Sequence, residues 1–127
     1  MDSVLAPVSV GELFDKISIL EIKKEKIRDP SKLVLICEEL KFLTEVTKQH
    51  LLTCPSDLYE SLRATNLMLW DIEDEIRVKE ASADFGKEFI KLARSVYVTN
   101  DKRFSIKNSI NKYFGSRLQE VKEYVEY

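Results

Sequence analysis

The sequence is short of the residues that make turns and cross-links, with three glycines, three prolines and two cysteines in 127 residues. Chain punctuation this sparse leaves room for only a few long elements. With 44% hydrophobic and 33% charged residues it predicts a helical protein with little or no strand. Cys37 falls on a predicted core face and Cys54 in a loop, so no structural disulfide is expected. Neither cysteine has a basic neighbour of the kind that marks a nucleophile.

Other absences exclude whole classes of function. The single histidine, His50, has no second histidine to share a metal with, and no Glu-x-x-His pair of the di-iron bundle type is present. The run Asp71-Ile72-Glu73-Asp74-Glu75 points its carboxylates in different directions on a helix and reads as a solvated face rather than a magnesium site. No metal and no cofactor are expected. A net charge of -2 with interspersed signs supplies no basic footprint for a phosphate backbone, which sets nucleic acid aside. No run approaches the roughly eighteen apolar residues of a membrane span. Residues 1–10 lack the charged and apolar regions of a signal peptide. The expected location is the cytoplasm, without a membrane partner.

What is present reads as a single domain over residues 1–127, all-α, an antiparallel bundle of four long helices with a short C-terminal helix or tail. Ser9-Val10-Gly11-Glu12 has the capping-box pattern and should start the first helix, which runs to about Arg28 and stops before Asp29-Pro30. Its apolar face is Val10, Leu13, Phe14, Ile17 and Leu20. The second helix should start with Ser31 as N-cap and run to about Thr53, with Leu33, Ile36, Cys37, Leu40, Leu43, Thr47 and Leu51 as its stripe. Pro55 and Ser56 end it and cap a third helix to about Ala81, whose inner face is Leu58, Leu62, Leu69, Ile72 and Ile76. A fourth helix runs from about Lys87 to Phe114, where Gly115 offers a left-handed stop, and a break near Thr99-Asn100 is allowed.

The anomaly is that apolar stripes turn polar. At about 100° per residue, Asn100, Arg103, Lys107 and Asn111 share the face that Phe89, Ala93, Val96, Ile110 and Phe114 make apolar. Glu21, Lys24 and Arg28 continue the apolar face of the first helix, and Asn66, Trp70, Glu73 and Arg77 run beside that of the third. Polar groups lifted out of water need partners. Five cations against two carboxylates in these rows give a formal surplus of +3.

The segments Gly11-Glu12-Leu13-Phe14-Asp15-Lys16, Ile19-Leu20-Glu21-Ile22-Lys23, Leu69-Trp70-Asp71-Ile72-Glu73-Asp74 and Asn100-Asp101, with Arg103, Lys107, Ile110 and Asn111, carry a resemblance. The chain resembles a small bacterial family of about this length, from about Ser9 to Tyr124, whose function is not established. That resemblance implies a helical domain and transfers no activity.

Two functions fit the rows. In the first, Arg103, Lys107, Asn100, Asn111, Arg77, Glu73, Asn66, Glu21 and Lys24 line an interhelical cleft that holds an anionic small molecule. The arginines would grip a carboxylate or phosphate and the amides would orient neutral oxygens. Glu73 or Glu21 would hold the arginines, or act as acid or base if burial raised its pKa. In the second, the same groups satisfy one another as a network that fixes helix register. The outward apolar residues Ile19, Ile22, Leu35, Phe42, Leu67 and Val98 then bury against another copy, making a homodimeric assembly module.

Overall fold

The Ser9 hydroxyl accepts from the Glu12 amide at 3.1 Å and starts the first helix, as the sequence pattern predicts. The computed structural model describes residues 2–127 and contains α1 (Val10–Lys26), α2 (Pro30–Gln49), α3 (Ser56–Ala81) and α4 (Lys87–Phe114). Met1, part of the single domain expected over 1–127, lies outside the described residues. Among the described residues there is no strand, and no helix is long and apolar enough to cross a membrane. The protein is an all-α bundle.

The shortest helix sits at the centre. α1 packs against all three others, and its buried residues include Gly11, Asp15 and Ser18 beside Leu13, Phe14, Ile17, Leu20 and Ile22. Leu13, Phe14 and Ile17 meet Leu62 of α3 and Ile110 of α4 in the core, with Leu40, Leu43 and Val46 of α2 closing it. Phe14 stacks on Phe114 with centroids 5.9 Å apart and meets Tyr59 edge-on at 6.3 Å. This core occupies one end of the molecule. At 1.5 Å per residue, the 17 residues of α1 span about 26 Å, while the 26 of α3 and 28 of α4 reach about 39 and 42 Å. The α3–α4 hairpin therefore runs past the helix that covers it, and no residue between 73 and 98 is buried.

Several boundaries differ from the sequence reading. The cap of α2 is Asp29, not Ser31, and the helix begins at Pro30, not after Ser31: Asp29 accepts from the Ser31 amide at 3.0 Å, and proline at the first helical position has no amide to lose. It ends at Gln49 instead of Thr53, where Leu51 turns left-handed (φ 55°) and the Leu52 amide bonds back to the Thr47 carbonyl at 2.9 Å. Leu51 is consequently exposed rather than in the stripe, and Cys37, inside the helix, is exposed as well. α3 begins at Ser56, with Pro55 at the cap position and no side-chain cap. α4 is unbroken at Thr99-Asn100 and stops at Gly115 (φ 63°). Residues 116–127 form no helix; they fold back along α4 as an extended tail, with Glu120 against Lys107, Lys122 over the Phe104 ring and Tyr127 against Asp101 and Tyr97.

Candidate functional site

Gly11, Asp15, Ser18 and Ile22 recur every three to four residues along α1 and so share a face. The missing side chain at Gly11 lets α4 come close. A Cβ on Gly11 would lie 2.5 Å from the Lys107 carbonyl oxygen and 2.9 Å from Asn111 Oδ1. In that gap the Gly11 amide donates to Asn111 Oδ1 at 2.7 Å, so Asn111 serves as a cap on the start of α1 from a neighbouring helix.

One turn further on, the Asp15 carboxylate lies wholly inside the fold. Its Oδ1 accepts from Asn66 Nδ2 at 2.9 Å and from Arg103 Nε at 3.0 Å, and its Oδ2 accepts from Arg103 Nη2. Asn66 Nδ2 also donates to Ser18 Oγ at 2.8 Å, and Ser18 Oγ donates to the Asp15 carbonyl at 2.8 Å. Lys107 Nζ sits 3.7 Å from Asp15 and closer to two other carboxylates, Glu12 at 2.7 Å and Glu120 of the tail at 3.0 Å. Glu12 thus does not reach back to complete a capping box; the lysine has claimed its carboxylate. The hydrogen bond to Asp15, aided by the charges of Asp15, Glu12 and Glu120, raises the Arg103 pKa against the opposing pull of burial. For Lys107 burial presses downward, and the hydrogen bonds to Glu12 and Glu120 outweigh it, so the net direction is also upward.

The expected positive surplus is therefore not what the fold assembles. Two cations, Arg103 and Lys107, face three carboxylates, Asp15, Glu12 and Glu120. Lys24 and Arg28 lie exposed on the far end of the first helix and beyond it, because α1 leaves the core after Ile22. Glu21 accepts from the Tyr59 hydroxyl and faces Arg63 at 3.6 Å, beside a separate cavity of about 390 Å³ that also holds Cys54. Burial, with a lesser push from Asp57, moves the Cys54 thiol up to about 11, so it is held as a thiol at neutral pH.

Five of the nine predicted site residues do come together, and Trp70 with them. Asn66, Trp70, Glu73, Arg77, Asn100 and Arg103, joined by Ile19, Leu69 and Asp74, line an open cleft of about 490 Å³ between α1, α3 and α4. Arg77 and Glu73 form an exposed pair at 3.3 Å on its rim. Arg103 reaches in from the network. Its Nε and Nη2 are both committed to Asp15, whereas Nη1 has no hydrogen-bond partner among the described residues, and 27% of the side chain is exposed. Asn100 and the Trp70 indole likewise have no side-chain hydrogen bond among the described residues.

Asp15, Glu12, Ser18 and Glu120 escaped the helical-wheel reading, which followed only polar residues that continue an apolar stripe. A signal for Asp15 was nevertheless in the sequence: Gly11 and Ser18 flank it at helical spacing, and two small residues on the face of a charged one mark a close crossing. Glu120 lies in the extended tail, where no wheel applies. No curated protein and no solved structure matches the chain. A family model does match, over residues 5–126, and the chain belongs to that family, DUF6165, a family of unknown function.

Proposed function

We propose that the protein binds a small carboxylate- or phosphate-bearing molecule in the cleft between α1, α3 and α4, with the anionic group on the outer edge of Arg103. The observation that supports this reading is the posture of that arginine. Asp15 grips one edge of the guanidinium side-on and fixes its plane, the third nitrogen has no partner among the described residues, and the same side chain lines a cleft of ligand size. A guanidinium has five donors in a rigid fork, so one edge can stay on Asp15 while another takes a second oxyanion. Asn100 supplies an amide beside it and Trp70 a flat wall, while both hydrogens of the Asn66 amide are already given to Asp15 and Ser18. Arg77 pairs with Glu73 and Arg103 with Asp15, which leaves Asp74 uncompensated in the lining and favours a ligand with one anionic group and a cationic remainder over a polyanion.

Lys107 belongs to a different role. Held by three carboxylates and almost fully buried, it acts as a packing element, and so do Glu12 and Asn111. The structural-network reading thus applies to the inner half of the polar row, and the binding reading to its outer half.

The test is thermal melting of the protein with inorganic phosphate, phosphate esters, amino acids and di- and tricarboxylates. A ligand at a hundred times its dissociation constant adds about 2.7 kcal/mol, a shift of several degrees in a domain of this size. Asn100→Ala, which breaks no hydrogen bond within the fold, should leave the unliganded melt unchanged and reduce the shift. If none of these compounds raises the melting temperature, the binding reading is wrong.

A further inference from the structure

A helix stabilises a fold by burying a stripe against other elements, and the outer half of the α3–α4 hairpin has little to bury against but itself, with only Tyr127 of the tail on Tyr97. Residues 73–98 contain no buried position. Ile76 of α3 and Phe89, Leu92 and Val96 of α4 are only half-buried. Outside them Val78, Phe85, Ile90 and Val98 stand 67%, 54%, 54% and 49% exposed. An isolated pair of helices is an incomplete bundle. The charges on its two limbs are also sorted. Residues 73–81 of α3 carry four carboxylates and two cations, whereas residues 87–98 of α4 carry three cations and one carboxylate.

We propose that this free half of the hairpin is a dimerisation arm whose occupant is the same arm of a second copy. A two-fold axis places the acidic α3 limb of each copy along the basic α4 limb of the other. The two hairpins close into a four-helix bundle that buries Val78, Ile90 and Val98 and pairs the sorted charges. Sorting of this kind is what self-recognition needs, because every copy carries both the patch and its complement. The outward residues on α2, Leu35 and Phe42, lie on another surface and take no part. Glu73, Asp74 and Arg77 of this limb also line the cleft, but Glu75, Glu80, Lys91 and Arg94 do not.

Sedimentation analysis of the full chain tests it with a charge swap. One variant, Lys91→Glu with Arg94→Glu, makes both limbs acidic; another, Glu75→Lys with Glu80→Lys, makes both basic. The wild type is expected to sediment as a dimer at tens of micromolar. Each variant alone should be monomeric, and an equimolar mixture should be dimeric again, because only the mixed pair sets an acidic limb against a basic one. Circular dichroism checks that both variants keep their helix content. Should either lose it, Ile90→Ser, an exposed position in the single chain, replaces the swap and is expected to be monomeric and folded. A monomeric wild type overturns the proposal, and so do variants that dimerise alone, a mixture that stays monomeric or an Ile90→Ser chain that remains a dimer.

Discussion

Asp15 is the residue on which the polar interior turns. It has no access to solvent, and Arg103, Asn66 and Lys107 all point their donors at it. Removing one partner of such a buried pair leaves the other unpaired, at a cost of about 3–5 kcal/mol. Arg103→Met should therefore lower unfolding free energy by about that amount in urea melts. Lys107 gives a pH signature. Its folded pKa lies above the ordinary 10.5, so its contribution is fully present below about pH 10.5 and is lost as pH rises through the folded value. Urea melts between pH 8 and 11.5 should show the wild type losing its advantage over Lys107→Met at the alkaline end. Arg103, Lys107 and Asn111 were legible because each sits where the wheel demands an apolar residue. Their partner was not. Asp15 is short, stands between Phe14 and Lys16, and falls outside the main stripe of α1 on a second face that is itself buried.

At the scale of elements, the crossing of α1 over α4 depends on a missing side chain. Gly11→Ala would drive its Cβ into the Lys107 carbonyl, a backbone atom that cannot step aside, and should destabilise by about 1–3 kcal/mol in chemical denaturation. Three helices end in the same left-handed turn, at Leu51, Ala83 and Gly115, yet only the last has the residue suited to it. Ala83→Gly should accordingly stabilise by about 1 kcal/mol, read as a rise in melting temperature with binding unchanged. The helix boundaries show which signals carry information. Gly115 and the proline-bearing turn before α3 placed their ends well. The end of α2 was read four residues late, because a leucine in a left-handed turn announces nothing in sequence. The tail was open in sequence for a related reason: the Leu118, Val121 and Tyr124 spacing fits a helix, but those side chains stay exposed, so no core rewards forming one.

At the scale of the whole molecule, the chain has one covered end and one bare end. The core, the tail and the Asp15 network hold α1 at the covered end, and the hairpin leaves it unaccompanied. The cleft lies at the junction, where α1 stops shielding α3 and α4. This explains why fold class was legible and function was not. Helical periodicity reports that a residue faces inward, but it does not distinguish a row sealed by neighbouring carboxylates from one opening on a cleft. The central claim is that Arg103 is held on one edge and available on the other. Nitrogen-15 NMR of its guanidinium tests this directly, because a side chain clamped by Asp15 rotates slowly and gives separate Nη signals. On titration with the phosphate esters and carboxylates of the melting screen, the Nη1 signal should move while Nη2 and the Lys107 ammonium stay in place. If Nη1 stays fixed throughout, or averages with Nη2 in the free protein, the claim is contradicted.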